Sequence, residues 1–97
     1  MITYPGVRQD IAIVVDEDIE AGALVDVARE AGGAELREAR VFDVYRGEQA
    51  GAGKKSVALH LVFQSSERTL SDDDAAEIRT RVVTALADRF GAELRSV

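Results

Sequence analysis

The chain contains no cysteine, so neither a disulfide framework nor a thiolate metal site is open to it. It has a single histidine, His60, and scattered carboxylates, which do not give the ligand spacing of a zinc site. Without a cysteine nucleophile or a serine in a nucleophile-elbow pattern, that lone histidine has no catalytic constellation to serve. No apolar run approaches the ~18 residues that a membrane span needs. The N-terminus lacks the basic-then-apolar layout of a secretory signal. The expected setting is therefore the cytoplasm, with no membrane partner. Positive charge is also short: 12 Lys and Arg stand against 18 Asp and Glu, a net of −6. Taken as a whole, that balance argues against nucleic-acid binding, because phosphate contacts need lysine and arginine.

The distribution of charge changes that conclusion. Residues 16–30 carry six acids and one arginine, whereas residues 37–55 carry five bases (Arg37, Arg40, Arg46, Lys54, Lys55) against three acids (Glu38, Asp43, Glu48). Whole-chain charge governs solubility and long-range steering, not the field at one face. With 97 residues, 46% of them hydrophobic and 31% charged, the chain is expected to be one domain with its own core.

Hydrophobic periodicity gives the element order. Ile11, Ile13 and Val15 alternate with Asp10, Ala12 and Val14, a strand over 7–15. Asp16, Glu17 and Asp18 follow as acids suited to a helix N-terminus. Leu24, Val27, Ala28 and Ala31 form one helical stripe, closed by Gly32 and Gly33. A second strand is expected over 34–46, a glycine-rich tip over 47–53 and a third strand over 54–64. In the third strand Val57, Leu59, Leu61 and Phe63 share one face, and Ser56, Ala58, His60, Val62 and Gln64 the other. Ser71 with Asp74 reads as a variant capping box. It opens a helix over 72–90 whose buried stripe is Ala75, Ile78, Val82, Leu86 and Phe90, stopped by Gly91. Residues 92–95 suffice for a short last strand. The order β-α-β-β-α-β is packed most simply as an α+β, ferredoxin-like split βαβ: a four-stranded antiparallel sheet with both helices on one face and the other face open.

Alternation puts Arg8, Asp10, Ala12, Val41, Asp43, Tyr45, Ser56, Ala58 and His60 on the open face, and Phe42 with Val44 in the core. Arg46, Lys54 and Lys55 are grouped at the hairpin rim. Of the five aromatics (Tyr4, Phe42, Tyr45, Phe63, Phe90), Tyr45 stands out as a ring on an uncovered sheet face, the layout by which sheets stack splayed RNA bases. The loop Gly51-Ala52-Gly53-Lys54-Lys55-Ser56 fails as a phosphate loop. Lys55 follows Gly53-Lys54 where Ser or Thr is required, Glu48 holds a glycine position, and a strand follows where a helix should. Asp72-Asp73-Asp74 is a helix-start charge run without the alternating ligands of a calcium loop.

Four ordered stretches resemble the ferredoxin-fold anticodon-binding domain that closes the beta subunit of bacterial phenylalanyl-tRNA synthetase. They are Tyr4-Pro5-Gly6-Val7-Arg8-Gln9-Asp10-Ile11-Ala12, Phe42-Asp43-Val44-Tyr45-Arg46-Gly47, Gly53-Lys54-Lys55-Ser56-Val57-Ala58 and Arg68-Thr69-Leu70-Ser71-Asp72. The resemblance spans about Tyr4 to Arg95. It implies that the chain holds the anticodon stem-loop of tRNA-Phe, with Asp43, Tyr45 and Ser56 contacting anticodon bases; the open-face Arg8 and His60 and the rim bases Arg46, Lys54 and Lys55 are expected to flank them on the RNA. It implies as further partners the rest of the beta subunit and the alpha subunit. It also implies that aminoacylation, an ATP-dependent ligation with its ATP and magnesium, is performed elsewhere, with no cofactor in this domain. Two departures lower positive charge near the face: Gln9 separates Arg8 from Asp10, and His60 stands where arginine is common. The same fold also hosts interaction and amino-acid-sensing (ACT-like) regulatory modules, the alternative function for this chain.

Overall fold

A computed structural model describes residues 4–48 and 50–96; position 49, inside the expected hairpin tip, lies outside the described residues. The elements run β1 (Val7–Asp16), α1 (Ala21–Gly32), a 3-10 turn (Gly33–Glu35), β2 (Leu36–Tyr45), β3 (Lys54–Phe63), α2 (Asp72–Phe90) and β4 (Glu93–Ser96). The sheet order is β2-β3-β1-β4, and every neighbouring pair is antiparallel. This is the split βαβ arrangement, with β3 inserted between β1 and β2.

One face of the sheet is the core. Ile11, Ile13 and Val15 of β1 and Val57, Leu59, Leu61 and Phe63 of β3 are buried in a single cluster with Leu24 and Ala28 of α1 and Ala75, Ile78, Val82 and Leu86 of α2. The β-branched and aliphatic residues at every second strand position meet two helical stripes, so both helices lie on that side. Phe90 completes the α2 stripe as a partly buried residue packed on the cluster. Among the described residues no helix is long and apolar enough to cross a membrane.

Local chemistry fixes the element ends. Gly33 takes φ 71 at the α1 C-terminus, and its N–H donates to Arg29 O. Arg81 of α2 reaches over to donate to the carbonyls of Ala31 (3.4 Å) and Gly32 (3.2 Å), satisfying acceptors that a helix end leaves unpaired. The acids at 16–18 do not start α1: its N-cap is Glu20, and no acid lies in the first turn. β1 instead continues through Asp16, whose Oδ1 accepts from Lys54 Nζ at 2.6 Å across the register pair Asp16–Lys54. The second strand starts later than expected because Gly33–Glu35 form the 3-10 turn.

At α2 the capping box is complete. Asp74 N–H donates to Ser71 Oγ (3.1 Å), and Ser71 N–H donates to Asp74 Oδ2 (2.9 Å). Arg68 Nη1 also donates to Asp74 Oδ2, at 2.6 Å. The Arg68 and Ser71 hydrogen bonds hold the Asp74 carboxyl down at about 2, from an ordinary 3.8. A carboxyl depressed on folding stabilises the fold fully above its unfolded pKa and loses that contribution as pH falls through the folded value. Urea melts of wild type and Asp74→Asn should therefore differ at neutral pH, with the variant weaker, and converge between about pH 4 and about pH 2. A gap as wide at pH 2 as at neutral pH contradicts the assignment.

Candidate nucleic-acid interface

The face away from the helices is organised in rows set by the register. Tyr45 of β2 pairs with Ser56 of β3, and Ser56 with Val14 of β1. Val14 pairs with Glu93 of β4. The next row is Asp43, Ala58 and Ala12. Side chains directly opposite each other stand about 5 Å apart at Cβ, and successive same-face rows are about 6.7 Å apart. A ring, a hydroxyl and a carboxylate thus share one patch whose floor is the small apolar surface of Ala12, Ala58 and Val14. Tyr45 is 47% exposed, Asp43 is exposed and Ser56 half-buried. All three emerge on the helix-free side.

The edge strand β2 carries two register shifts, between Leu36 and Glu38 and between Val41 and Asp43. Each inserts one unpaired residue, Arg37 and Phe42, and so reverses the alternation. Two placements expected from strict alternation are overturned. Val41 pairs with Leu59 and packs against the core, not on the open face. Phe42 is not a core residue: it is the extra residue of the bulge and is 51% exposed. Val44, opposite Val57, keeps its expected core side.

The bulge at Arg37 also brings Glu38 and Arg40 to the open face, opposite Val62 and His60, which alternation had not done. There they meet Arg8 and Asp10, the β1 partners of Val62 and His60. His60 Nδ1 lies 2.6 Å from Asp10 Oδ1, and its Nε2 lies 3.8 Å from Glu38 Oε2. Arg40 Nε lies 3.6 Å from the same Glu38 oxygen. His60 is therefore on the expected face but engaged between two acids, two rows from Tyr45. The open face divides into a charged half and a ring-bearing half.

The rim bases separate as well. Lys54 lies at the hairpin end, and the Asp16 carboxylate, through its hydrogen bond and its charge, holds the ammonium above its ordinary range. Arg46 is exposed and lines, with Glu17, Glu48, Lys54 and the loop glycines, a cleft of about 410 Å³ beneath the hairpin. Lys55, expected at the rim, lies behind the sheet instead: it shares the parity of Val57, pairs with Val15 and is 4% exposed. Its aliphatic stem is spent on the helix-packed side, so it is not a rim residue of the open face. The hairpin tip also closes one end of the patch. Ala50 is buried and, with Val14, Glu93, Leu94 and Arg95, lines a hollow of about 390 Å³. Among the described residues no group of three or more His, Asp and Glu is placed to hold a metal ion.

The family model described as the ferredoxin-fold anticodon binding domain matches residues 3–95. The phenylalanine–tRNA ligase beta subunit of Bifidobacterium longum is 48% identical over 94 residues, which cover 97% of this chain and 11% of that protein. The subunit of the same name from Geobacillus kaustophilus is 46% identical over 92 residues, 95% of this chain and 11% of that protein. That of Vibrio vulnificus is 47% identical over 92 residues, 95% of this chain and 12% of that protein. The chain thus spans about a ninth of the length of these curated relatives.

Proposed function

The chain belongs to the ferredoxin-fold anticodon binding domain family, and from that membership and the open sheet face we propose that it holds the anticodon of tRNA-Phe as part of a phenylalanyl-tRNA synthetase beta subunit. The observation that carries this is the convergence of Tyr45, Asp43 and Ser56 on one helix-free patch. A splayed base stacks on the Tyr45 ring. Asp43 offers carboxylate oxygens that match the two adjacent N–H donors of a guanine Watson–Crick edge, and Ser56 donates or accepts beside them. Arg8, Arg46 and Lys54 supply the cations that reach the phosphates. Partners on this reading are the anticodon stem-loop, the rest of the beta subunit and the alpha subunit. ATP and magnesium then act where aminoacylation is performed, outside this domain.

The test exploits the guanine edge. An anticodon stem-loop with inosine in place of its guanine lacks the exocyclic amino group and so one hydrogen bond to Asp43. It should bind about 10- to 150-fold more weakly than the guanine form, the equivalent of ~1.5–3 kcal/mol for one hydrogen bond to a charged acceptor. In Asp43→Ala that preference should vanish. Fluorescence titration at low salt reads both. Equal binding of the guanine and inosine stem-loops by the wild type, or discrimination that survives Asp43→Ala, removes Asp43 from the interface.

A further inference from the structure

We propose that Gly47 is a positioning residue for Tyr45: the missing side chain at 47 is the space in which the tyrosine ring lies. This inference rests on the anticodon-binding function proposed above and adds to it a residue that does not itself face a base. The positive-φ glycines are Gly33, Gly51, Gly53 and Gly91, so the backbone at 47 does not call for glycine. The space does. A Cβ built on Gly47 falls 2.6 Å from Tyr45 Oη, 2.8 Å from Cζ and 3.0 Å from Cε2. The phenol therefore leans forward along the chain over the residue two positions on, at the mouth of the hairpin. Distances this short force something to move. Here the obstructing atoms are the far end of a side chain with two free torsions, not backbone.

The energetics separate binding from folding. Tyr45 is 47% exposed, so swinging its ring away forfeits little buried surface. A methyl at 47 is accommodated by the ring, and the fold is kept. Stacking is lost all the same, because the ring no longer occupies the place from which it, Ser56 and Asp43 face one base. Glycine at 47 fixes the platform by leaving one site unfilled.

Three variants decide the matter: Gly47→Ala, Tyr45→Ala and the double variant. In the RNA-free wild type the Gly47 α-protons should carry a ring-current shift that Tyr45→Ala abolishes. Gly47→Ala should keep the wild-type melting temperature, bind the anticodon stem-loop about fivefold or more weakly, and cost nothing further in the Tyr45→Ala background. Unshifted glycine protons, wild-type affinity in Gly47→Ala, losses that add in full, or a collapse of the melting temperature each overturn the proposal. If Tyr45→Ala binds as the wild type does, the anticodon-binding function fails. The placement of the ring by Gly47 is then judged on the proton shifts and melting temperature alone.

Discussion

Replacing Tyr45 by alanine is expected to weaken binding of the phenylalanine anticodon stem-loop by about 5- to 150-fold, the equivalent of ~1–3 kcal/mol for one base stacked on one ring. The ring stands at the end of a row with Ser56 and Val14, and no helix shields it. On the function proposed above, its removal leaves Asp43 and Ser56 in place but takes away the surface on which a base would stack. Stability should hardly change, because the ring is half exposed and lies outside the core cluster. Tyr45→Phe, which keeps the π-face, should retain most of the affinity. Equilibrium titration alongside thermal melts separates the two quantities. An alanine variant that binds RNA normally would end the case for stacking.

At the opposite end of the sheet the expected loss is of folding, not of binding. Phe63 is fully buried and lies in register between Val7 of β1 and Leu36 of β2. Phe63→Ala should cost about 3–5 kcal/mol, from lost transfer free energy and the cavity left behind. A domain of this size has about 5–15 kcal/mol in total, so the variant should melt at least about 12 °C lower. Urea unfolding measures it directly, with an unchanged m-value expected. A cost under about 1 kcal/mol would mean that the site collapses to fill the gap. Phe63 ends β3, and Tyr45 of β2 pairs with Ser56 near the other end of that strand, so their substitutions should add without coupling.

Most of the architecture was legible because it rests on periodicity. The stripes Leu24–Ala28 and Ala75–Leu86 and the alternation of β1 and β3 depend only on spacing, and all of them pack as spaced. The α2 start was legible because Ser71 and Asp74 carry their own hydrogen-bonding chemistry. Of the site, Asp43, Tyr45 and Ser56 were readable for the same reason: two lie downstream of both β2 bulges, and β3 has none opposite them. The failures are local and physical. A bulge is a choice made by the hydrogen-bond ladder, and nothing in Arg37 or Phe42 announces it, so Val41 and Phe42 exchange roles and Glu38 and Arg40 change sides. Ala39, a small apolar residue between charged neighbours and buried in the structure, was the one available sign of that change. Lys55 is a different case. Alternation from Val57 already places it behind the sheet, and grouping it with Lys54 by charge overrode that pattern. Gly47 was invisible because its role depends on where a neighbouring rotamer lies.

The two extra residues in β2 have a second effect, on self-association. β2 is an outer strand of the sheet, and a long, straight outer strand invites another chain to zip onto its free amides and carbonyls. Bulges at Arg37 and Phe42 interrupt any regular ladder a newcomer might form there, and they sharpen the local twist. Copies of this domain are thereby denied a continuous template for stacking edge to edge, and the Tyr45 ring beside that margin stays uncovered.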